Sequence, residues 1–121
     1  MRFLIMVKGK ENAGPPPNAL MGAIARLGEE ATKAGVLIEN GGLLPSALGA
    51  RVRLSARNLA VTDGPFAETK ELIGGYAVYD VKSKQEAIDW ASRFMQLHKD
   101  HWPGWEGEAE IRQIFEAPAG P

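Results

Sequence analysis

Apolar and polar positions follow two different periods along this chain, and the switches between them mark the elements. Phe3 to Val7 is a continuous apolar run, which predicts a strand buried on both faces. Gly9 to Pro17 interrupts it with glycine, asparagine and three consecutive prolines, a loop from which a helix can start near Pro16 to Asn18. Leu20, Ile24, Leu27 and Ala31 then recur at helical spacing, with Ala23 and Ala34 beside them. Glu29, Glu30 and Lys33 fall mostly on the other side, and Gly35 stands where a helix end favours glycine. Val36-Leu37-Ile38 begins a second strand, which Gly41-Gly42 lets bend. Arg51 to Ser55 alternates, with Val52 and Leu54 on one face and Arg51, Arg53 and Ser55 on the other. A tight turn is expected at Arg57-Asn58, with Leu59 to Thr62 as the returning strand.

Ile73 to Val81 is a further strand. Ser83-Lys84-Gln85-Glu86 has the form of a capping box, and Ala87, Trp90, Ala91, Phe94 and His98 line one side of the helix it opens. Glu108 to Phe115 alternates again as a last strand, with residues 117–121 as a flexible tail. The order strand, helix, strands, helix, strand predicts an α+β fold: a ferredoxin-like βαββαβ arrangement with an added hairpin, as one domain over residues 1–116. Two helices cover one face of such a sheet. The doubly apolar first strand asks for a second cover, and a second copy of the chain supplies it, so a homodimer is expected.

Composition narrows the function classes. The 121 residues carry 45% apolar and 24% charged side chains, as a folded domain does. Fourteen basic residues against fifteen acidic ones, with no basic-aromatic run, argue against a nucleic-acid binder. The chain has no cysteine, which excludes disulfides, thiolate metal sites and a cysteine nucleophile. The first apolar run is too short for a membrane span or a signal peptide, so no membrane partner and a cytoplasmic location are expected. Gly74-Gly75 leads into a strand and lacks the frame of a phosphate loop. His98 and His101 could face one metal ion only as a pair, with no third ligand at a recognised spacing. No cofactor and no metal are therefore expected. The two histidines finish their helix, where their charge suits its dipole, or one of them serves alone in acid/base chemistry.

The stretch Thr62-Asp63-Gly64-Pro65-Phe66-Ala67-Glu68-Thr69-Lys70-Glu71-Leu72-Ile73-Gly74-Gly75-Tyr76 resembles the signature of the YCII-related family, in its DGPF-domain branch. Ala34 to Leu37, Gly42 to Pro45, Arg51 to Arg53, Ser83 to Trp90 and Glu110 to Arg112 extend the likeness over nearly the whole chain. The resemblance implies a dimeric α/β barrel of ferredoxin-like protomers. It also implies two function classes: a pocket-bearing protein with a suggested enzymatic role, or a regulatory module, since some relatives accompany or are fused to sigma factors.

The candidate chemistry lies in the signature loop. Asp63 closes a strand at a turn shaped by Gly64 and Pro65, where it either caps backbone N–H groups or acts as general base or ligand anchor. Glu68, Lys70 and Glu71 beside it are candidate ligand contacts or a solvated charged turn. Arg53, two residues from Arg51 on one strand face, can hold an anion or protect a sheet edge. Tyr76 and Tyr79 point to opposite faces, and Tyr76 is taken as the substrate contact. Trp102 and Trp105 close a pocket end or pack at a sheet edge or a partner chain, with packing favoured. The expected reading is a homodimer that binds a small molecule, anionic if the basic groups hold it, with cofactor-free acid/base activity on Asp63. The alternative is a non-enzymatic module with a sigma-factor-related partner.

Overall fold

β1 (Arg2–Gly9), α1 (Asn18–Lys33), β2 (Leu37–Gly42), β3 (Ala50–Ser55), β4 (Asn58–Asp63), β5 (Leu72–Asp80), α2 (Lys84–His101) and β6 (Gly107–Gln113) follow one another along the chain. The computed structural model describes residues 1–66 and 71–116. Four strands form an antiparallel sheet in the order β2-β5-β1-β6, the order of a ferredoxin-like split β-α-β fold. β3 and β4 form a separate two-stranded hairpin inserted between β2 and β5. Neither helix is long and apolar enough to cross a membrane.

The run from Phe3 to Val7 divides its side chains between two faces. Phe3 and Ile5 are buried with Ala31, Tyr79, Val81, Ala87 and Ala91 in the core beneath the helices. Leu4 and Met6 point to the opposite face beside Val78 and Tyr76, and all four are only half-buried. That open face is framed by ion pairs: Arg2 with Glu116, and Lys8 with Glu110, which also meets Arg112.

Local signals fix the helix ends. At the end of α1, Gly35 takes φ +76°, Val36 N–H donates to Ala31 O at 3.1 Å and Gly35 N–H to Thr32 O at 3.0 Å. This is the paired-bond glycine cap that the sequence suggested. At the start of α2, Ser83 Oγ accepts from Glu86 N–H at 3.1 Å. The Glu86 carboxylate reaches one residue further back than the usual box, accepting from Lys82 N–H at 3.0 Å. α1 starts after Pro17 with no side-chain cap.

The hairpin turn and the end of the last strand are among the boundaries that differ from expectation. The hairpin turn is centred on Ala56 (φ 48°) and Arg57 (φ 69°), and Asn58 already belongs to β4. Two successive left-handed residues match the twist of the flanking strands, which is why the turn sits one residue earlier than the Arg57-Asn58 reading. β6 stops at Gln113, short of the expected strand end at Phe115, which is 87% exposed. The hairpin also leaves its apolar row uncovered: Val52, Leu54, Leu59 and Val61 are each about 70% exposed.

Candidate functional site

A cavity of about 510 Å³ opens between the helix side of the sheet and the two helices. It exists because side chains are missing where three strands end. On one cross-strand rung Val7 lies beside Gly75, and Gly75 beside Gly42, all facing the helices. A Cβ on Gly42 would meet nothing within 4 Å, so that position opens onto free space. Leu20, Ile24 and Leu27 of α1 form one wall; Trp90, Phe94 and His98 of α2 form another. A cavity of this size and apolar lining is typical of small-molecule sites.

His98 is the buried polar residue among the described ones, at 7% exposure. Its Nδ1 lies 3.0 Å from Phe94 O, one helical turn back. Aromatic rings surround it: Phe94 at 4.8 Å between centroids, Trp105 at 4.5 Å and Trp102 at 6.4 Å. Burial lowers its pKa and outweighs the opposing effect of the Phe94 carbonyl. Trp105 is held by two glycines paired across β1 and β6. A Cβ would lie 3.1 Å from the indole at Gly9 and 2.3 Å from it at Gly107. Trp105 thus packs at the sheet edge, as the favoured reading has it, and both Trp102 and Trp105 also line the cavity.

The signature loop is hung from the turn at Ser46–Leu48 at the mouth of the cavity. Gly64 N–H donates to Gly49 O at 2.9 Å, and Phe66 N–H to Ser46 Oγ at 3.2 Å. Ser46 in turn donates from both its backbone N–H and its hydroxyl to the Glu11 carboxylate. Glu11 and Pro45 line the cavity, so this chain of bonds ties the Asp-Gly-Pro-Phe turn to the cavity rim. The Phe66 ring carries the Arg51 guanidinium 3.8 Å above its centroid.

The predicted site residues that the structure describes are not gathered in one place, and of them Tyr76 alone is among the residues lining the cavity. Asp63 ends β4 opposite Ala50 and is exposed; Arg53 is exposed on the hairpin opposite Ala60. Glu71 is exposed and precedes Leu72, which lines the cavity. Tyr76 borders the cavity along β5, but it pairs with Met6 on the opposite sheet face, where its ring covers Gly41. Its hydroxyl donates to Glu39 at 3.1 Å, and that bond raises the phenol pKa. Glu68 and Lys70, like the predicted tail at 117–121, lie outside the described residues. Sequence reasoning had placed His98 on the apolar stripe of α2 without giving it the central position. The signal available was Phe94, His98 and Trp102 at four-residue spacing, together with glycines on four strands.

A two-helix, antiparallel α+β domain of ferredoxin-like order, with an apolar cavity between its layers, is the class these features define. The chain belongs to the YCII-related family, whose model matches residues 1–116. It is 41% identical over 71 residues to an uncharacterised protein of Rhizobium meliloti (strain 1021), a stretch covering 59% of this chain and 55% of that relative. The match thus spans about half the length of the curated relative. Among solved structures it is similar to TftG, the 5-chloro-2-hydroxyhydroquinone dehydrochlorinase of Burkholderia phenoliruptrix AC1100 in complex with 2,5-dihydroxybenzoquinone. That likeness has a TM-score of 0.46 at 14% identity, covering 97% of this chain and 96% of the other.

Proposed function

We propose that the protein is a homodimer that binds a small, largely apolar molecule in the cavity between its sheet and helices, with cofactor-free acid/base chemistry at that site. The observation that carries this reading is the glycine-floored cavity, with one buried histidine among its aromatic walls. Volume alone would be a packing defect. Here two glycine pairs and a tryptophan held over one of them hold the space open, and few polar groups converge on it.

Two features support the dimer. Leu4, Met6 and Val78 form an apolar strip on the face that no helix covers, ringed by charges as interface cores are. A second copy laid on that strip would give the dimeric α/β barrel of the DGPF branch. The hairpin's uncovered apolar row offers further contact area beside it.

Asp63 is the acid/base candidate on the signature loop, and it stands beside the rim rather than in the cavity. A thermal-shift screen of small carboxylates, lactones, phenols and phosphates separates the two loci. Ligands are expected to stabilise the wild type and not Gly42→Leu, whose side chain fills the cavity. Loss of the shift in Asp63→Asn instead, with Gly42→Leu unaffected, would move the site to the signature loop. Light scattering of the same samples is expected to give twice the protomer mass, and a monomer would remove the dimer.

A further inference from the structure

We infer that the cavity selects flat aromatic molecules bearing a hydroxyl group, and that His98 Nε2 is the hydrogen-bond acceptor that recognises the hydroxyl. The inference rests on the cavity being a ligand site. A carbonyl oxygen can only accept, so the contact to Phe94 O places the proton of the neutral ring on Nδ1. Nε2 is then left with a free lone pair. It has no partner among the described residues, yet no described buried side-chain nitrogen or oxygen is both sealed and unpaired. Nε2 therefore keeps an open approach, and His98 lines the cavity.

The surroundings choose the ligand. Phe94, Trp102 and Trp105 offer ring faces around the imidazole, which favours a flat aromatic body over an aliphatic one. An acceptor nitrogen requires a donor on the ligand. An aromatic hydroxyl supplies one; an ether or a carboxylate supplies none. The charged groups lining the cavity among the described residues are Lys10 and Glu11 at the rim, and Glu11 is committed to Ser46. The rest of the lining is mainly apolar, with Val7 from β1, Leu20, Ile24 and Leu27 from α1 and the two indoles, and its other titratable groups are the Tyr76 and Tyr79 phenols of β5. A carboxylate ligand would lose its hydration there with little return. Acid converts the acceptor into a donor, so selectivity for the hydroxyl is carried by neutral His98. Burial of the imidazole extends that neutral form to lower pH than usual.

Isothermal titration with 2-naphthol, 2-methoxynaphthalene and 2-naphthoate tests the inference on the intact protein. At neutral pH 2-naphthol is expected to bind about tenfold more tightly than the methoxy compound, the scale of one added hydrogen bond. His98→Phe should remove that preference and keep binding of 2-methoxynaphthalene. In the wild type the preference should narrow as pH falls from about 7.5 to about 5, through and below the usual histidine range. The pH series and His98→Gln decide the matter if His98→Phe does not fold. Equal affinity for the hydroxyl and methoxy compounds would overturn the role of His98 and leave the cavity reading standing. Tightest binding of 2-naphthoate would also overturn it, in favour of an anion site. No binding of any of the three would end both.

Discussion

Gly64 lies directly against the carbonyl of Ser46: a Cβ at Gly64 would fall 1.6 Å from that oxygen. The glycine of the Asp-Gly-Pro-Phe turn is therefore required by its contact with the backbone of a distant turn, at Ser46, and not by its own turn alone. Gly64→Ala must push the loop off the Ser46 turn and break the Gly64 N–H bond to Gly49 O. Overpacking of this kind costs about 1–3 kcal/mol, read as a lower urea midpoint. A midpoint equal to wild type would show that the loop can move without loss.

Ser83→Ala removes the hydroxyl that accepts from Glu86 N–H at the start of α2. A loss of about 1 kcal/mol is expected in chemical denaturation. Glu86→Ala removes a different bond, to Lys82 N–H, so the double variant should be less stable than either single one.

Leu54→Lys combined with Leu59→Lys charges a hairpin row whose members are 70% and 72% exposed. Because the row is uncovered within the protomer, protomer stability should change by no more than about 0.5 kcal/mol. If the hairpin joins the dimer interface, sedimentation will show a shift toward monomer. An unchanged dimer would confine the interface to the sheet face.

His98 is expected to make the fold sensitive to mild acid. Its pKa in the folded protein is lowered by burial, whereas the unfolded chain protonates it at the ordinary histidine value. The unfolded state thus binds more protons between the two values, and stability falls as pH drops through that window. It is fully present above the ordinary histidine range. His98→Gln should flatten the dependence of Tm on pH between about 7 and about 5. An identical slope in both proteins would mean that His98 titrates normally.

Much of the fold is written in local pattern. The α2 start at Ser83, the α1 end at Gly35 and the alternation of Arg51 to Ser55 each act over a few residues, and each stands where the pattern placed it. The hairpin turn was missed by one residue because Ala56 and Arg57 carry none of the usual left-handed-turn residue types. The cavity was illegible for a different reason. It depends on Gly42, Gly75, Gly9 and Gly107 meeting across strands, and on two indoles arriving from the loop before β6. An absent side chain leaves no mark in a hydrophobic pattern. The Asp-Gly-Pro-Phe stretch drew attention by its residue types, yet its backbone bonds to Ser46 and Gly49 are what the geometry displays.

The seat of Trp105 on Gly9 and Gly107 joins the first strand to the last. During synthesis, every other wall of the cavity is made before residues 107–113 emerge. Until β6 pairs with β1 there is no slot to hold the indole, and His98 lacks one of its three aromatic neighbours. That pairing closes nearly the whole chain into one loop, and the indole's seat waits on it. The cavity is thus completed only when β6 pairs with β1, and the proposed ligand site would be completed with it.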